Sequence, residues 1–207
     1  RKILRDTQNP FDIPDNSFLK LYRLSKVATL QLIKELINFM PVPKRATVIP
    51  QQLQIFVTLH FLASGSYQRK VGQDFLSCMS QTSISISIHA TINALNSIMG
   101  HWIQFPTTDI RKPQIKNKFF EKTGFPGVIG AIDGSYIAIF PPQTEREHLF
   151  INRKLYHSLN MCVSSYNNEI LAVNAMHEGR THDSRVFRSS HLFHHLERQQ
   201  EAGARGS

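Results

Sequence analysis

The stretch "VIGAIDGSYIAI", Val128 to Ile139, decides how this chain is read. Its β-branched and aromatic residues predict a strand from Val128 to Phe140. A carboxylate, Asp133, stands in the middle of that apolar run. In a buried strand an unpaired charge is costly, so something must pair with Asp133 or bind to it. Gly134 follows it and would let a ligand or a neighbouring backbone approach closely.

Toward the C-terminus the same texture recurs twice. After a polar loop, "SLNMCVSSY" (158–166) reads as a second strand and "EILAVNAM" (169–176) as a third. "NN" at 167–168 is a turn signal, so the second and third strands form a hairpin. "HEGRT" ends the third strand, and "HDSRVFRSS" begins a helix over 183–190 with Asp183 or Ser184 near its N-terminus.

Toward the N-terminus the pattern changes to helix. In "SKVATLQLIKELINFM", Ser25 is a candidate N-cap, and Leu30, Ile33, Ile37 and Met40 recur at helical spacing until Pro41 and Pro43. Pro50 suits a first helical turn before Leu53, Phe56, Val57, Leu59 and Phe61. "SGS" at 64–66 punctuates, and Tyr67, Val71 and Phe75 mark a short helix over 68–76. Ser80 then caps a longer one bearing Ile84, Ile88, Ile92, Leu95 and Met99. "SISISI" alternates as a strand would, but the longer period through Met99 favours helix.

A short helix, a tight turn at "SCMS" and a second helix make a helix-turn-helix outline. Placed on DNA, it would present Gln81, Ser83, Ser87 and Thr91, with Arg69 and Lys70 on phosphates. An ordinary helical hairpin is the competing reading. Between the two textures, "HWIQFPTTDIRKPQIKNKFFEKTGFPG" (101–127) holds three prolines and a run of lysines. It reads as a connector with one short helix. The division is therefore a helical region over 1–108, a connector over 109–126 and a strand-rich domain over 127–207.

Three strands with an Asp in the first, followed by a helix, are how an RNase H-like nuclease domain begins. Such domains collect acidic residues from separate elements around divalent ions, because Mg²⁺ and Mn²⁺ prefer oxygen ligands. "GFPGVIGAIDGSYIAI", "NRKLYHSLN", "GRTHDS" and "SGSYQRKVG" together resemble the PIF/Harbinger-type DDE transposases in order and spacing. The resemblance covers nearly the whole chain. It implies that Asp133, in "IDG", is a first ligand for Mg²⁺ or Mn²⁺, and that Asp183, in "HD", is a further one. It also implies metal-dependent phosphodiester cleavage or strand transfer on DNA, a nuclear location with the cytoplasm as a second compartment, and a Myb-like DNA-binding partner.

Two further acids of the family, one after a fourth strand in a "GDSGY"-like segment and a later glutamate, have no counterpart after Asp183. Glu197 and Glu201 stand too close to it. This implies a C-terminally shortened chain whose site is incomplete, and a first residue that is not Met also reads as a fragment. The alternative is a catalytically inactive DNA- or protein-binding relic.

Each candidate residue has a plainer reading. Asp133 could end the strand and turn with Gly134, and Asp183 could be an N-cap, a role compatible with metal binding. Asn152, Arg153 and Lys154, with Tyr156 and His157, would hold a nucleic-acid backbone or form a solvated loop. His177 and His182 flank Asp183, but no Cys/His spacing suits zinc. "HLFHH" reads as a surface helix, and Ser135 lacks a nucleophile elbow or a base.

The totals agree with an α+β protein. The 207 residues are 41% hydrophobic, enough for a real core. Formal net charge is +9, dispersed as 11 Lys+Arg against 5 Asp+Glu over 1–108 and 13 against 10 over 109–207. That suits a polyanion without identifying one. No run of apolar residues is long enough for a membrane span, and "RKILRDTQNP" lacks the apolar core expected of a secretory signal. Cys78 and Cys162, in apolar contexts, read as reduced core thiols of an intracellular protein.

Overall fold

The computed structural model describes residues 9–42, 49–65, 67–73, 77–106, 111–166 and 169–201. Two compact units emerge, Arg1–Gly100 and His101–Ser207.

In the first unit, helix α1 (Asp15–Tyr22) precedes α2 (Lys26–Leu36), where Ser25 caps as expected, its Oγ accepting the Ala28 N–H at 3.2 Å. The buried stripe of α2 is Thr29, Ile33 and Leu36, with Met40 beyond the helix end. Leu30 and Ile37, expected inside, are exposed. Thr29 can take an inside place because its hydroxyl donates to the Ser25 carbonyl at 2.9 Å, leaving no polar atom stranded. Helix α3 (Gln51–Ser64) follows Pro50 and ends at Gly65, whose φ of +59° closes the helix in the left-handed region. Rings of Phe11, Phe18, Tyr22 and Phe56 interlock, with Phe56 centred 5.1 Å from both Phe11 and Tyr22.

Helix α4 (Gln68–Gln73) and helix α5 (Gln81–Trp102) form the second half of this unit. The alternating "SISISI" lies inside α5, so the longer period decided its structure. Gly72 allows the crossing: a Cβ there would meet the Met79 carbonyl oxygen at 2.7 Å. Val71, Met79, Ile84 and Ile88 close a second core with Leu53 and Val57. Ser87 and Thr91, expected to face DNA, are buried instead. They sit three residues on from Ile84 and Ile88, hence on the same inward side of the helix. Tyr67 and Met99 are exposed, Cys78 is half-buried, and residues 74–76, the expected end of the short helix with Phe75, lie outside the described residues.

In the second unit, helix α6 (Arg111–Thr123) occupies much of the expected connector. Its Ile115 packs on Leu171, with Phe105, Phe119 and Ile129 around them, and Arg111 pairs with Glu169. Strands β1 (Ala131–Ala138), β2 (Ser158–Tyr166) and β3 (Glu169–Glu178) form one antiparallel sheet in that order. The expected hairpin pairing of β2 and β3 is present, while residues 167–168 lie outside the described residues. Helix α7 (Asp183–Arg188) packs on β2 and β3, then breaks before α8 (His191–Glu201).

One expectation fails here. β1 is largely exposed, and Asp133 with it. Among the described residues β1 pairs with β2 alone, and α7 covers the other two strands, so the burial cost assumed for Asp133 does not arise. No described helix is long and apolar enough to cross a membrane.

Candidate metal centre

Register decides what meets what across the sheet. Gly134 stands opposite Cys162, and Tyr136 opposite Asn160. Alternation places Gly134, Tyr136 and Asn160 on one face of the sheet. Asp183, at the start of α7, comes down on that face. A Cβ on Gly134 would lie 2.5 Å from both Cγ and Oδ1 of Asp183, and 2.8 Å from Oδ2. Only a glycine admits the carboxylate there, which gives Gly134 a role that the sequence reading had left open.

Asp133 reaches the same residue differently. Its Oδ1 accepts the Gly134 N–H at 2.9 Å, while alternation directs its Cβ to the other face. Adding these approaches bounds the separation of the two carboxylates at about 8 Å. One ion held by both needs its oxygens about 4 Å apart, given metal–oxygen distances near 2 Å. The two acids are thus brought to one residue, Gly134, within a separation that reach alone limits to about 8 Å. β1 continues to Ala138, so Asp133 does not end a strand. Nor is Asp183 the N-cap: that place belongs to His182, and no side-chain capping bond forms.

What holds Asp183 is a residue the sequence reading passed over. Asn160, fully buried, donates from Nδ2 to Asp183 Oδ1 at 2.8 Å and to the Thr181 carbonyl at 2.7 Å. Its own Oδ1 has no hydrogen-bond partner among the described residues. A polar residue in the middle of a strand was the available signal, but only the register places Asn160 beside Asp183.

The "NRK" loop divides into two kinds of residue. Asn152 is 2% exposed and spent on the loop itself: Nδ2 donates to Ser158 Oγ at 2.8 Å, and Oδ1 accepts the Lys154 N–H at 2.8 Å. It therefore cannot touch a nucleic-acid backbone, contrary to expectation. Arg153 and Lys154 are exposed, and the Arg153 guanidinium lies 5.9 Å from the ring centre of Tyr136, two residues along β1 from Gly134. Tyr156 is at the surface, and His157 Nε2 lies 2.8 Å from Glu147 Oε1. Arg69 and Lys70 are exposed on α4 in the first unit. His177 contacts Ser189 Oγ through Nε2 at 2.6 Å, and no three His, Cys, Asp or Glu residues cluster among those described.

Residues 132–205 match the family of DDE superfamily endonucleases. Over 183 residues the chain is 30% identical to HARBI1 of Rattus norvegicus, named as a candidate nuclease, covering 87% of this chain and 52% of that protein. HARBI1 of Homo sapiens is 28% identical over the same shares. The chain belongs to the Harbinger-type DDE transposase family. It is also 28% identical over 152 residues to "Antagonist of like heterochromatin protein 1" of Arabidopsis thaliana, covering 70% of this chain and 38% of that protein. This Harbinger-type chain spans about half the length of the HARBI1 proteins it matches. No solved structure matches it. Its fold is α+β: a helical region, then three antiparallel strands and a helix that form part of an RNase H-like domain, in a family of transposase-derived nucleases.

Proposed function

We propose that Asp133 and Asp183 bind Mg²⁺ or Mn²⁺ and that the second unit is the metal-binding part of a nuclease acting on DNA in the nucleus. The observation that carries this is the Asp183 carboxylate seated on Gly134, the residue after Asp133. The donors fit the ion: both are hard oxygens, Gly134 leaves the space, and an unpartnered amide oxygen, that of Asn160, lies close by. A bound ion would activate water or a 3′-hydroxyl and stabilise the leaving oxygen in an in-line phosphoryl displacement. Arg153 and Lys154 supply phosphate affinity near the acids, with Arg153 held over Tyr136.

In the first unit α4 and α5 serve as a helix-turn-helix-like DNA contact. Arg69 and Lys70 lie on phosphates, and the exposed side of α5 (Gln81, Thr82, Ile86 and His89) replaces the buried Ser87 and Thr91.

The test is a Mn²⁺ titration of the 207-residue chain, followed calorimetrically. Saturable binding should be lost in Asp183→Ala and weakened in Asp133→Ala; equal binding by all three would defeat the proposal. With two of the family's acids, the 207 residues should bind the ion without nicking supercoiled plasmid. Robust nicking abolished by Asp133→Ala would show that two acids suffice.

A second reading, a DNA- or protein-binding role without catalysis and beside a Myb-like partner, is favoured by the likeness to a plant protein named as an antagonist of a heterochromatin protein. Retained duplex binding in the absence of any metal affinity would select it.

A further inference from the structure

We infer that Asn160 is a positioning residue for the metal centre, holding one oxygen of Asp183 so that the other faces the ion. The inference rests on the metal reading above and adds to it a residue that neither acid motif contains.

Asn160 is fully buried under the junction of β3 and α7, and its amide nitrogen makes two bonds. One, to the Thr181 carbonyl, fixes the turn that delivers Asp183. The other, to Asp183 Oδ1, fixes the carboxylate itself. A carboxylate with one oxygen tied by an N–H presents the second oxygen in a defined direction. Partners of this kind orient metal ligands throughout metalloproteins. On the opposite side the carboxylate rests where a Cβ of residue 134 would stand, so Gly134 is what lets it sit against β1.

The amide oxygen of Asn160 argues in the same direction. It is buried and has no hydrogen-bond partner among the described residues. Buried polar atoms are normally satisfied, and an exception points to a function or to an unseen ligand. A side chain kept only to fill space would be apolar and would strand nothing. Asn160 instead donates from its nitrogen to two acceptors and leaves its oxygen without a partner among the described residues.

Two measurements on the full chain test this. The first needs no metal: a double-mutant cycle on urea unfolding with Asn160→Ala, Asp183→Ala and the pair. A charge-assisted hydrogen bond predicts a coupling of about tenfold in the unfolding constant. Coupling near unity would show that the contact is not made and would overturn the inference. The second is Mn²⁺ affinity. Asn160→Ala, with native circular dichroism, should bind about 10- to 100-fold more weakly, the usual loss for a residue behind a metal ligand. Asn160→His, which keeps an N–H near the same place, should recover part of that loss.

Undiminished Mn²⁺ affinity in Asn160→Ala, or no rescue by Asn160→His, overturns the positioning role. If the unmodified chain binds no Mn²⁺ while the coupling is present, the metal reading itself has failed, and Asn160 is a structural tie only.

Discussion

Among the described residues, the first unit of this chain buries many more apolar side chains than the second. In the first, Phe18, Ile55, Phe56, Leu36 and Ile84 are almost wholly buried, and three aromatic rings interlock around Phe56. In the second, Ile115 and Leu171 are buried, yet Ile132, Ile137, Val173 and Met176 stand exposed on the strands. Polar side chains are buried here too: Asn160, which bonds Asp183, and Ser158 in β2, with Asn152 in the loop before it. Helices of the first unit are specified by what they hide. The sheet is specified by its hydrogen-bond ladder and by a few polar ties that place the acids.

The sharpest contrast comes from core truncation. Phe56→Ala should cost about 3–5 kcal/mol, because it removes a ring touching three others and leaves a cavity. Ile137→Ala, on a strand residue 43% exposed, should stay within about 0.5 kcal/mol. Urea unfolding of both variants measures the difference, and equal costs would erase the distinction between the units.

Gly134→Ala comes next, and it connects fold to site. The added methyl would fall on the Asp183 carboxylate, so Asp183 must move or the strand must yield, at about 1–3 kcal/mol. Mn²⁺ affinity should fall at least tenfold with it. Gly100→Ala, where nothing lies within 4 Å of the new methyl, is the control. Retention of full affinity in Gly134→Ala would mean that Asp183 does not depend on the cradle.

The same contrast explains what the sequence could reveal. Helical and strand periods were legible over α2, α3, α5 and all three strands, because periodicity reports one residue's neighbours on its own element. Asp133 and Asp183 follow from "IDG" and "HD" by family resemblance, not from any local pattern. Faces were harder: Ser87 and Thr91 looked like a DNA-reading side because they are polar. Only packing showed that both lie inside, where the Ser87 hydroxyl donates to the Ser83 carbonyl. The exposure of Asp133 was misread for the converse reason, since an apolar sequence does not say whether anything covers it. Asn160 and the Asp183–Gly134 contact depend on pairing residues 24 and 49 positions apart, which no local pattern encodes.

Asn152→Ala tests the polar ties away from the acids. It removes two loop hydrogen bonds and leaves Ser158 Oγ without its donor, so about 1–2 kcal/mol should be lost. Arg153 should at the same time lose its fixed place over Tyr136, and single-stranded DNA binding should weaken, although residue 152 itself is buried. A variant that loses stability but binds DNA unchanged would show that the loop's order is irrelevant to Arg153.

The smallest effect is expected where the contrast between the units is most visible. Met176 is 89% exposed on β3, so Met176→Lys should alter unfolding by no more than about 0.5 kcal/mol. Its consequence should appear in association instead. Exposed apolar side chains on a sheet whose outer strands pair on one side only among the described residues invite pairing between chains, and a lysine on an edge strand is a common natural block. Light scattering at raised protein concentration should therefore fall in Met176→Lys while the midpoint in urea stays put. A loss above about 1 kcal/mol would mean that Met176 is packed in solution, and the sheet would then be stabilised by burial as the helices are.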